Sequence, residues 1–213
     1  MNDISKLTYS NAAIGQQASV LHEIREQSKN IAIYQRDIFS LEAELQQIVV
    51  QEIAFKKSGT VLEIRSALQQ YFDLHFANCS NVLDDILGQL DFFKEVSGAE
   101  SFRILFKTIN TNMCRRFHTD INSLRLLCTY VGQGTLWLPD EIVNSNALVT
   151  RGNNEQIVMD ESQVQQVGTG DVIILKGAFY PDANPIVHRS PSIEKSGERR
   201  LLVRIDINES LIF

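Results

Sequence analysis

In the run CRRFHTD a histidine and an aspartate stand two residues apart, at His118 and Asp120. Imidazole nitrogens and carboxylate oxygens are both donors for a divalent metal. On an extended strand that spacing points two side chains to one face, with Cα atoms roughly 6–7 Å apart, so both can converge on a single ion. Cys114 shares their parity, but four extended residues carry it on the order of 13 Å from His118, beyond an ion whose bonds are about 2 Å long. A triad of two histidines and one carboxylate needs a second histidine from another element. His22 and His75 lie in helix-patterned sequence, which leaves His188, placed after a proline-bearing loop and ahead of an arginine-bearing strand. The structural alternative is plain: His118 and His188 satisfied by backbone groups, with Asp120 opening a turn.

The elements that must position these residues fall into two textures that change near residue 100. In the first, SLEAELQQIVVQEIAF sets Leu41, Leu45, Ile48 and Val49 on one helical stripe, with Ser40 placed as a cap. TVLEIRSALQQYFDLHF and NVLDDILGQLDFFKEV continue the helical pattern, the latter stopping at Ser97-Gly98, and IAIYQ reads as a short strand. From Phe102 the chain turns into short β-rich runs: FRILFKTI, CRRFHTD, LRLLCTYV, TLWL, EQIVM, DVIILKG and RRLLVRID. Glycines and prolines between them mark turns. The pattern predicts one α+β domain over residues 1–213, a helical part to residue 100 packed on a β-sandwich or barrel over 101–213. The polar segment from Pro139 to Gln163 is too long for a hairpin turn and has the character of a binding loop or lid.

Composition bounds the function. With 44% hydrophobic and 22% charged residues in 213, the chain has the make-up of a globular protein with a sizeable core. A net charge of -6, with both signs interspersed, offers no footprint for nucleic acid or an anionic membrane. No run approaches the roughly 20 apolar residues of a membrane span, and the start lacks a leader pattern, so a cytoplasmic location is expected. Three cysteines without C-x-x-C spacing read as reduced thiols.

The order His-x-Asp, long loop, strand, His, arginine strand is similar to the double-stranded β-helix of iron(II)- and 2-oxoglutarate-dependent oxygenases. There a basic residue about ten positions after the distal histidine binds the cosubstrate carboxylate. CRRFHTD, RLLCTYVGQGTLWLP, GDVIILKG, HRSP and GERRLLVRID also closely resemble a bacterial family of unknown function numbered 1826, over essentially the whole chain. More distantly, RFHTDINSLRLLCTY resembles the metal-binding strand of prolyl hydroxylases. These resemblances imply a cupin-like jelly roll, with His118, Asp120 and His188 as metal ligands and Arg125 and Tyr130 as pocket residues.

Arg199 and Arg200, eleven and twelve residues after His188, compete for the cosubstrate carboxylate. Strand parity groups Arg199 with Leu201, Val203 and Ile205, and Arg200 with Leu202, Arg204 and Asp206, which favours Arg200 with Arg204 in support. Lys176, ending VIILK, is a further carboxylate binder or a strand-end charge. The implied function is oxidation of a small-molecule or peptide substrate using Fe(II) and 2-oxoglutarate. Two alternatives stand beside it: a cupin-like zinc or manganese protein that handles metal or acts as a hydrolase or isomerase, and a non-catalytic interaction module.

Overall fold

The structure, a computed structural model, describes residues 9–182, 184–194 and 197–209. In chain order its strands are β1 (Ala12–Gly15), β2 (Ile31–Tyr34), β3 (Ala54–Thr60), β4 (Ser101–Ile109), β5 (Leu124–Val131), β6 (Leu136–Trp137), β7 (Gln165–Gln166), β8 (Val172–Lys176), β9 (His188–Arg189) and β10 (Arg200–Ile207). Seven of them form the main sheet in the order β1-β2-β8-β5-β10-β4-β3, and the other three form a small sheet, β7-β6-β9. The β1–β2 pairing is parallel and every other pairing is antiparallel. Strands at the centre are covered on both faces, so VIILK is an almost unbroken apolar run, and RLLVRIDI is buried at every position but Arg204. The edge strand β3, AFKKSGT, has no buried residue and carries Lys56 and Lys57, which discourage pairing with another chain.

One face of the main sheet is covered by α1 (Glu42–Val49), α2 (Val61–His75) and α3 (Ser80–Ser97). Ile64, Leu68 and Phe72 of α2 and Val82, Ile86 and Phe93 of α3 share a core with Ile104, Leu126, Val203 and Ile205. The start of α2 is fixed by a capping box: the Glu63 carboxylate accepts from the Thr60 N–H at 2.8 Å, and Thr60 Oγ1 accepts from the Glu63 N–H at 3.4 Å. Caps of this kind are worth about 1 kcal/mol. The opposite face buries Leu127, Ile173, Leu175 and Leu202 against Trp137 of the small sheet and Ile186. Between β6 and β7 the chain forms α4 (Ser145–Val149) and α5 (Asn154–Ile157).

The architecture is therefore mixed α/β, and it departs from helices followed by strands. Strands β1, β2 and β3 all precede α2, so the main sheet draws on both sides of residue 100. Ser40 lies in a 3-10 turn, and α1 begins after Leu41 without a side-chain cap. EQIVM forms no strand: Asn153 and Gln156 make a capping box that starts α5, leaving Val158 in an isolated bridge to Val143. CRRFHTD is not a strand either, and only His118 makes a β-bridge. Among the described residues no helix is long and apolar enough to cross a membrane.

Candidate metal centre

His118 and Asp120 sit in the connection from β4 to β5, and several bonds hold that stretch in place. The Phe117 N–H donates to Asn154 Oδ1 of α5 at 2.9 Å, and Asn154 Nδ2 donates to the Arg115 carbonyl at 2.9 Å. The Asp120 carbonyl accepts from the Ala178 N–H at 2.8 Å, just beyond β8. His118 and His188 face each other across a reciprocal pair of backbone hydrogen bonds, both 3.0 Å, which brings the imidazole centroids to 4.8 Å. One backbone pairing thus joins two segments far apart in sequence.

The ligand-capable atoms of His118, Asp120 and His188 all lie within 4.8 Å of one another. Nε2 of His188 is 3.4 Å from Asp120 Oδ2, and Nε2 of His118 is 3.8 Å from Oδ1. These separations exceed the roughly 2.7–3.2 Å of an N–H···O hydrogen bond. They approach the spacing of neighbouring ligands on an ion with bonds of about 2.1 Å. The tautomers point the same way. His118 Nδ1 lies 2.9 Å from the Arg116 carbonyl and His188 Nδ1 3.2 Å from the Ile186 carbonyl. A carbonyl only accepts, so each Nδ1 carries the proton, and each ring in its neutral form turns the Nε2 lone pair toward Asp120. Burial pushes His188 down to about 4, which keeps it neutral. Two imidazole Nε2 atoms and a carboxylate converging on one point suit a cation, so the residues fit a divalent metal.

Asp120 is itself held. Arg125 Nη1 donates to its Oδ2, while Arg125 Nε donates to Asp206 Oδ1 at 2.6 Å. Arg125 therefore stands behind the carboxylate, bound to two acids. Arg200 lines the cavity next to the histidines and is 1% exposed. Its Nε donates to the Gln133 carbonyl at 2.6 Å and its Nη2 to Thr129 Oγ1 at 3.1 Å. Among the described residues no carboxylate pairs with it. Burial without such a partner pushes Arg200 down to about 10.

Other sequence candidates lie elsewhere. Arg199 points away from the cavity, donating Nη1 to the Val49 and Val50 carbonyls and Nη2 to Glu52. Tyr130 faces the helices, where its hydroxyl donates to Asp85 Oδ2 at 2.5 Å; it stands two positions after Cys128 and four after Leu126, which face the same way. Lys176 shares that face and donates Nζ to the Glu26 carbonyl at 2.7 Å, so it closes a strand end rather than the pocket. Arg204 does line the cavity. Cys114, which a continuous strand would carry out of reach, lies beside His118, because residues 111–117 are not extended in a sheet. The thiol and imidazole interact, which lowers Cys114 and raises His118. Arg189, also on the cavity wall, escapes sequence reasoning; it directly follows His188, and that adjacency is the available signal. The segment 139–163 packs Ile142, Ile157 and Val158 against Phe117, Leu138 and Val187 behind the histidines, and none of its residues lines the cavity.

Comparison with solved structures places the fold. The dioxygenase for auxin oxidation 1 from Arabidopsis thaliana, solved with 2-oxoglutarate, matches with a TM-score of 0.53 at 10% identity, over 92% of this chain and 91% of that one. A prolyl-4-hydroxylase from Pseudomonas putida matches with a TM-score of 0.44 at 12% identity, over 88% and 96%. No curated protein matches the chain. A family profile does match, over residues 15–206, and by it the chain belongs to the family described as protein of unknown function, DUF1826.

Proposed function

We propose that this protein is a non-haem iron(II)- and 2-oxoglutarate-dependent oxygenase. The observation that carries the reading is the convergence of His118 Nε2, Asp120 and His188 Nε2 beside a buried arginine that lacks an acidic partner among the described residues. The fold likeness to a plant dioxygenase solved with 2-oxoglutarate supports it. His118, Asp120 and His188 would hold the metal, and Arg200 the carboxylate of the cosubstrate. Bound there, iron with 2-oxoglutarate and dioxygen supplies oxidation of an unactivated C–H bond.

The chain's own residues do the positioning. The Arg116 and Ile186 carbonyls fix both histidine tautomers, and Arg125 holds the Asp120 carboxylate in orientation. Gln133 and Thr129 each take one donor of Arg200, orienting the planar guanidinium for a bidentate contact. Met113, Leu127 and Leu202 give the cavity apolar wall, which limits water around the reacting groups.

The test is anaerobic addition of iron(II) and 2-oxoglutarate, followed by admission of air. A visible charge-transfer band and then succinate are expected from the wild type, neither from His118→Ala or His188→Ala, and a weakened 2-oxoglutarate dependence of the band from Arg200→Gln. Wild-type protein giving no band and no succinate would sink the reading. One observation favours a second reading, a zinc-binding protein: Cys114 brings a soft sulfur donor beside His118. Metal analysis of untagged protein separates the two. Tightly bound zinc that iron does not displace, and that is lost from Cys114→Ser, selects the second.

A further inference from the structure

The cavity carries more positive charge than a metal and 2-oxoglutarate require. Its lining includes Arg125, Arg189, Arg200 and Arg204, and no carboxylate. Arg125 is committed to Asp120 and Asp206. Arg204 Nε lies 3.1 Å from Asp206 Oδ2 but makes no hydrogen bond. Arg189 makes no ion pair among the described residues, with Glu161 acting on it only at longer range. Its Nη1 donates to the Ser190 carbonyl at 3.1 Å, its guanidinium lies 5.0 Å from the Phe117 ring centroid, and its buried Nε has no partner.

The charge balance decides the ligand class. Asp120 and Asp206 offset two of the four arginines. A divalent metal restores the lost positive charge, and 2-oxoglutarate, a dianion, cancels the metal alone. Two guanidinium charges remain in a partly desolvated cavity, where an uncompensated charge is costly. Exposure orders them: Arg200 is 1% exposed and lies deep, whereas Arg189 and Arg204 are half-buried. The overall charge of -6 makes this local excess of cations the more specific.

We infer that Arg189 and Arg204 form an oxyanion subsite and that the molecule acted on in this pocket bears a carboxylate or a phosphate. The inference rests on the oxygenase reading for the use made of Arg200, and adds to it the chemistry of the substrate. The anion would be gripped by planar, forked donors, leaving the rest of the molecule to extend toward the histidines.

Calorimetric titration of the full-length, metal-free protein at low ionic strength tests this, with inorganic phosphate and benzoate as separate probes. Saturable binding of at least one is expected, and the one that binds distinguishes phosphate from carboxylate recognition. Arg200 can itself take a probe anion, so Arg200→Gln should retain saturable binding, and in that background Arg189→Gln and Arg204→Gln should each weaken it tenfold or more. Arg189→Lys and Arg204→Lys keep the charge and should retain part of the affinity, which covers the case in which a glutamine variant fails to fold. No saturable binding of either probe, binding indifferent to both positions, or binding lost only with Arg200 overturns the inference. If the anion subsite behaves as expected while the iron and 2-oxoglutarate band never forms, the oxygenase reading falls and the subsite stands. A band without anion binding at Arg189 and Arg204 overturns the subsite and leaves the oxygenase reading in place.

Discussion

Arg125 is the residue on which the geometry of Asp120 depends. It touches Asp120 from behind, is anchored by Asp206, and does not belong to the ligand set. Arg125→Gln should therefore weaken metal binding about 10–100-fold, the usual effect of losing a group that orients a ligand. Competition with a chelator measures it, and unchanged affinity would mean that Asp120 is held by its backbone alone. At this scale the sequence is readable wherever parity applies. Along RRLLVRID, alternation separates Arg199 from Arg200, as the structure does, although β10 begins at Arg200 and its pairing with β5 shifts register between Leu201 and Leu202. Parity fails where the strand assumption fails. The CRRFHTD segment forms a single bridge, so Cys114 comes near His118 instead of standing far along a strand. Tyr130 departs from expectation for another reason: resemblance to a motif does not say which face of β5 a residue occupies, whereas the apolar neighbours Leu126 and Cys128 do.

Among the elements, the turn after β8 bears most directly on the site. A Cβ on Gly177 would lie 2.2 Å from both the carbonyl oxygen and Oδ1 of Asn122. The Gly177 N–H donates to the Ser123 carbonyl at 2.9 Å, and the next residue bonds Asp120. Gly177→Ala must push the 120–123 segment away, costing about 1–3 kcal/mol as overpacking does. Urea unfolding should show that loss together with weaker metal binding, and stability equal to wild type would contradict the packing. Elements with strong periodicity, such as α2, α3, β4, β5, β8 and β10, can be read from the sequence because burial imposes their pattern. Strand β3 cannot, because an exposed edge carries no apolar signal and its AF start continues the spacing of the preceding helix. Of the two-residue strands, β6 falls inside the predicted run TLWL, whereas β7 and β9 carry no pattern of their own and are set by tertiary contacts.

For the whole molecule, the joint between helices and sheet is polar at one point. Arg36 donates to both oxygens of Asp85 at 2.5 and 2.8 Å and to the Gly170 carbonyl at 2.7 Å, while Gln89 Nε2 donates to Asp85 and to the Tyr130 hydroxyl. Burial alone would raise Asp85, but the Arg36 bonds and charge, with those of Tyr130 and Gln89, outweigh it and hold the carboxyl below its ordinary range. A carboxyl whose folded value lies below its unfolded value stabilises the fold above the unfolded value, about 3.9, and loses that contribution as pH falls through the folded one. Denaturant unfolding should therefore show wild-type stability declining below about pH 4, with a flatter profile for Asp85→Asn. At neutral pH that variant leaves Arg36 unpaired and should lose about 3 kcal/mol. An equally steep acid limb in the variant would place the titration elsewhere.

The reciprocal hydrogen bonds between His118 and His188 also bear on how the chain is closed. An ion shared by these residues would cross-link the β4–β5 connection to β9, tying off the long stretch of chain between them. Because unfolded chains do not preassemble the three donors, such an ion binds the native state selectively. Chelation should therefore lower the melting temperature, and metal in hundredfold excess over its dissociation constant should add about 2.7 kcal/mol. The amide hydrogens of His118 and His188 would then be the most direct reporters, exchanging more slowly in the presence of the ion than in its absence.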